Sequence, residues 1–157
     1  MNTSIISIWA MELWAAPAAL GFALLFNVPP RTLWMCGALA IAGHACRKLV
    51  MVGGGDIVLA TLCAGLLIGF FAEWWGARKD EPAAIYAVSA AIPMVPGTYM
   101  YKAVQGLLGI ATLPHSADGT QLLVSAGVSG ITACMIVIAL AFGVAAPMLL
   151  WPRTSHR

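Results

Sequence analysis

Long apolar runs follow one another along this chain with almost no charge inside them, and that succession decides what it can fold into. A helix that crosses a bilayer needs about 20 mostly apolar residues, because its backbone groups must be satisfied within the segment where no water is at hand. About five such runs are legible, at residues 5–26, 31–52, 56–76, 82–111 and 121–151. Of the 157 residues, 61% are hydrophobic and 9% charged, against roughly 25% charged in a soluble domain, and the mean hydropathy is +0.90. Such a chain cannot hide its apolar surface from water. The predicted fold is all-α: a polytopic membrane helix bundle that forms a single transmembrane domain over residues 1–157, with the lipid bilayer as its first partner and only short connections outside it.

Several function classes fall away at once. The formal charge of +2 comes from eight Lys and Arg placed singly or in pairs, without the clustered basic face that nucleic-acid binding needs. Cys36, Cys46, Cys63 and Cys134 lie in or beside apolar runs with no metal-ligand spacing, and read as packing residues. Motifs for hydrolysis, metal catalysis or phosphate cradling are absent, so no enzyme activity, metal or cofactor is expected. The first ten residues hold no Lys or Arg; the charged start of a cleavable signal peptide is missing, and the first span is expected to be retained.

The first run is interrupted by Glu12 and Pro17 and stops at Asn27, Val28, Pro29 and Pro30, where Asn27 can close a helix and the prolines cannot continue one. The second carries His44, Arg47 and Lys48 in its last third, before Gly53, Gly54 and Gly55. Asp56 suits the N-cap of the third, Gly76 is expected to end it, and Gly65 with Gly69 forms a small-residue pair that lets helix backbones approach closely in lipid. Pro82 suits a first helical position for the fourth. The fifth is long, free of charge and rich in small residues. With five spans, Arg31, Arg78, Lys79, Arg153 and Arg157 gather on one side, and His115 with Arg47 and Lys48 on the other. The first side should then be cytoplasmic, with the N-terminus periplasmic and the C-terminus cytoplasmic. A count of four spans would overturn that orientation.

The fourth run carries the strongest chemical signal. Pro93, Pro96 and Gly97 fall near its middle, and a break at membrane depth is tolerated only where it is buried in protein or lines a water-filled cavity. Thr98 can cap a restarting half-helix whose free amides attract an anion such as a carboxylate. Tyr101 follows at the same segment, and Lys102, four residues beyond Thr98, adds a full positive charge on the same face. The bland alternative is a proline kink with Lys102 snorkelling to the interface.

His44 and Arg47, three residues apart, share a helix face. An Arg at depth seeks a partner or a water cavity, so Arg47 is expected to pair with Glu12 or to meet substrate, with His44 or Glu12 as the proton carrier; otherwise Arg47 and Lys48 simply mark the interface, the reading preferred for Lys48. Glu73, among Phe70, Phe71, Trp74 and Trp75, reads as interfacial and solvated. The methionines read as packing.

These residues are also where the chain resembles the threonine/serine exporter family, in particular the small, YjjB-like membrane subunits of its two-component exporters. The resemblance rests on Phe26, Asn27, Val28, Pro29 and Arg31; on Gly43, His44 and Arg47; and on Ile92 to Gly97, in that order along nearly the whole chain. It implies an exporter half in the bacterial inner membrane whose larger, YjjP-like partner supplies a second set of spans and a soluble cytoplasmic part. It implies small carboxylate substrates, either threonine and serine or a C4-dicarboxylate such as succinate, with export drawing on the proton gradient. A higher oligomer is compatible with it. It supports Pro93, Pro96, Gly97, His44 and Arg47 as a functional set; Lys102 rests on the physical reading alone. The competing reading is a non-transporting scaffold subunit that stabilises or localises a partner through small-residue packing.

Overall fold

The computed structural model describes residues 11–114 and 118–150. The expected start of the first span at Ile5, His115, and Arg153 with Arg157 lie outside the described residues. The described chain is helical: α1 (Ala15–Leu25), α2 (Leu33–Val52), α3 (Ile57–Lys79), α4 (Ala83–Ala91), α5 (Gly97–Ala111) and α6 (Thr120–Leu150), with 3-10 turns at Met11–Trp14, Pro30–Thr32 and Ile92–Met94. The run Pro30–Val52, α3 and α6 are each long and apolar enough to cross a membrane, and α4 with its following turn makes a fourth when joined to α5 across their break. The segment Glu12–Leu25 is a shorter apolar helix. This is the all-α, multi-pass architecture that the apolar runs imply.

Contacts divide the chain into two compact units, one holding the residues up to Met94 with those from Ala139 onward, the other Val95–Ile138. In the first, α2 and α3 form an antiparallel hairpin through Gly53 to Asp56, in which Gly54 takes a φ of 89° that side chains resist. Trp34 meets Trp75 edge to face at 5.1 Å near the start of α2, and Gly43 meets Ile68 farther along. Helices α1 and α4 pack on this pair. The core is largely alanine, with Ala15, Ala19 and Ala23 of α1 and Ala60, Ala64 and Ala72 of α3 buried. Small side chains suit a membrane bundle, where close backbone approach drives association. Gly65 and Gly69 fulfil the packing expected of them: a Cβ on Gly69 would lie 2.5 Å from the Val144 carbonyl oxygen, and one on Gly65 3.1 Å from that of Leu140.

Helix ends follow local chemistry. Asn27 adopts the left-handed conformation (φ 61°), and the N–H groups of Asn27 and Val28 bond the carbonyls of Leu24 and Ala23, a Schellman closure that buries Val28. Asp56 caps α3 through the Val58 N–H at 2.9 Å. Gly76 does not end that helix. It is buried and its carbonyl accepts the Glu81 N–H, while Asp80, left-handed at φ 55°, supplies the stop; Gly76 serves packing, and Asp tolerates the left-handed turn well. In the second unit α5 packs on the first part of α6, where a Cβ on Gly106 would fall 2.7 Å from that of Ala126.

Candidate functional site

The turn Met11–Trp14 carries Glu12 to the last third of α2. There the Glu12 carboxylate engages two side chains one helical turn apart: His44 Nδ1 lies 3.2 Å from Oε2, and Lys48 Nζ donates to Oε1 at 2.8 Å. Only 19–21% of each side chain is exposed, so these charges depend on one another rather than on water. Among the described residues His44 Nε2 is buried and makes no hydrogen bond of ordinary geometry, with the Pro93 backbone close by. Arg47 donates from Nη1 to the Met94 carbonyl at 3.3 Å.

That last contact ties α2 to the helix break. Once α4 has given way to the turn Ile92–Met94 the backbone carbonyls lose their helical amides, and a guanidinium is suited to answer one. Gly43 permits the approach: a Cβ there would sit 2.6 Å from both Met94 Cε and Ile68 Cδ1. Beside the four polar residues opens a cavity of about 470 Å³, walled on its apolar side by Met51, Val52 and Ile57, within the ~300–1,000 Å³ usual for small-ligand sites.

The structure thus brings together Glu12, His44 and Arg47, with Pro93 partly buried and Met94 buried alongside. It adds Lys48, which pairs with Glu12. The signal for it was present, since His44 and Lys48 are four residues apart and share a face. Thr98, Tyr101 and Lys102 are exposed residues of α5, in the second unit. Thr98 does not cap that helix: α5 begins at Gly97, Pro96 precedes it, and no side chain caps it. The Gly97 N–H bonds Val95 O and that of Met100 bonds Pro96 O, so the first-turn amides of Thr98 and Tyr99 have no intrahelical acceptor. Pro96 is buried, and a Cβ on Gly97 would meet nothing within 4 Å. Glu73 is also placed otherwise than expected. It is buried, at 7% exposure, because α3 runs past Gly76 and holds it beside a cavity shared with Phe70, Trp74, Arg78 and Pro147.

The family described as Threonine/Serine exporter, ThrE, matches residues 12–150. The chain belongs to the threonine/serine exporter family. An uncharacterised protein of Haemophilus influenzae is 38% identical over 141 residues, which cover 90% of this chain and 46% of that protein, so the chain spans about half the length of this relative. No solved structure matches it. The matched region of this exporter-family chain holds the whole polar cluster, from Glu12 to Met94.

Proposed function

We propose that this chain is the membrane subunit of a secondary exporter for small carboxylates, either threonine and serine or a C4-dicarboxylate such as succinate, working in the bacterial inner membrane with a larger, YjjP-like partner. The observation that carries the reading is the mostly buried cluster of Glu12, His44, Arg47 and Lys48 beside an open cavity. With His44 neutral these four side chains sum to one positive charge, which a single substrate carboxylate neutralises. Substrate entering the cavity takes Lys48 or Arg47. Glu12, deprived of Lys48, is left with His44, and the proton shared by that pair is the one exchanged during transport. The start of α5 supplies a second anion-attracting element through the Thr98 and Tyr99 amides and the charge of Lys102, with Pro93, Pro96 and Gly97 freeing the backbone and Tyr101 beside it.

Efflux from cells that express the chain with and without a YjjP-like partner tests this. Export of threonine, serine or succinate is expected only when both are present, and Arg47→Gln is expected to reduce it at least about tenfold at equal membrane abundance. Wild-type rates in both Arg47→Gln and Lys102→Gln would rule out the anion site.

A further inference from the structure

At the opposite end of α2 from the polar cluster lies a cleft with a different character. It occupies about 300 Å³ between the start of α2 and the end of α3, among Arg31, Thr32, Trp34, Trp75, Lys79 and Glu81. We propose that it binds the phosphate headgroup of a membrane phospholipid.

Three observations converge on an anion of that kind. The indole Nε1 of Trp75, a residue that lines the cleft, is a buried donor with no hydrogen-bond partner among the described residues. Arg31 donates to Glu81 at 2.9 Å through Nη2, yet its side chain is 78% exposed and a guanidinium has further donors to offer. Lys79, with Nζ 5.5 Å from the Trp75 ring centroid, supplies the positive charge that remains once Arg31 has neutralised Glu81. The paired indoles of Trp34 and Trp75 place all this at headgroup level, where basic pockets between helices hold anionic lipid. Exposed Trp34, Phe71 and Trp74 nearby offer acyl chains an apolar surface.

The test uses the full chain, purified in detergent, stripped of lipid and titrated with phosphatidylglycerol, phosphatidylcholine or inorganic phosphate, with bound species counted by native mass spectrometry. Phosphatidylglycerol should be retained, phosphatidylcholine less so, and millimolar phosphate should displace neither. Lys79→Gln and Trp75→Phe, the latter keeping the ring but losing the N–H, should each weaken phosphatidylglycerol retention about tenfold. Arg31→Gln should do the same; because it also releases Glu81, the other two variants are the decisive ones, and their melting temperatures should match wild type. Equal retention by wild type, Lys79→Gln and Trp75→Phe would overturn the site. Displacement by inorganic phosphate would overturn its assignment to lipid, and equal retention of the two lipids would overturn the role given to the cations.

Discussion

Glu12 answers two side chains of α2 at once, and this makes Lys48 the residue whose removal is most informative. Its Nζ sits 2.8 Å from a carboxylate that keeps 19% exposure, and breaking such a pair leaves a charge in a place that solvates it poorly. Lys48→Met should destabilise the purified protein by about 2–3 kcal/mol, somewhat below the ~3–5 kcal/mol of a fully buried pair. The double variant Glu12→Gln, Lys48→Met should recover most of that loss in thermal melts, since removing both charges relieves the penalty. A single variant as stable as wild type would show that the pair is solvated. The helical spacing of His44, Arg47 and Lys48 was legible in the sequence, and so was Glu12 as an acidic partner for that face; that His44 and Lys48 are the side chains it engages was not, because it depends on how the turn at Met11–Trp14 meets a helix more than thirty residues away. A second residue-scale prediction concerns pH. The Tyr86 hydroxyl donates to Glu81, and this, with Arg31 beside it, holds the Glu81 carboxyl below its ordinary value of 4.5. A depressed folded pKa means stability that is present above 4.5 and lost as pH falls through the lower folded value. Melting temperature should therefore decline on acidification below about pH 4.5, and less steeply in Glu81→Gln. Asp118, held down in the same direction by Thr120, titrates in both proteins, so the difference isolates Glu81.

Between elements, the contact of α3 with the last part of α6 is made by backbone. Gly69→Ala would drive a Cβ to 2.5 Å from the Val144 carbonyl, and neither main chain can yield locally, so a cost of about 1–3 kcal/mol is expected. Gly21→Ala, where a Cβ meets nothing within 4 Å, should be neutral or stabilising by up to ~1 kcal/mol. Melting of the two variants in the same detergent makes the comparison; equal stability would mean that α3 and α6 are not packed so closely. The pair Gly65 and Gly69 announced a close neighbour in the sequence, but not which one, because α6 carries small residues all round and several spans could have served. Element ends show the same division. Asp56 and Asn27 act through their own side chain or backbone and were readable, whereas Gly76 looked like a stop because glycine's use in tight packing and its use in termination leave the same letter.

Depth across the bilayer is a property of the whole molecule, and it decides from which side the polar cluster is reached. Trp34 and Trp75 pair near one end of the α2–α3 hairpin, in the company of Arg31, Arg78 and Lys79, as expected at a headgroup boundary. Arg47 lies thirteen residues along α2 from Trp34, about 20 Å at 1.5 Å per residue. In a hydrocarbon core about 30 Å thick this places it some 10 Å short of the far boundary. The cavity beside it is therefore expected to open to the side opposite Arg31 and Lys79. With the native cysteines replaced, a membrane-impermeant thiol reagent applied to intact spheroplasts should label Met51→Cys, and label Lys79→Cys only after permeabilisation. Labelling of both from the same side would mean that α2 does not cross, and would remove the premise that the Glu12 cluster and the Trp34–Trp75 cleft face different compartments. Labelling of Met51→Cys that is slowed by substrate, and only when the partner is present, would join this topology to export.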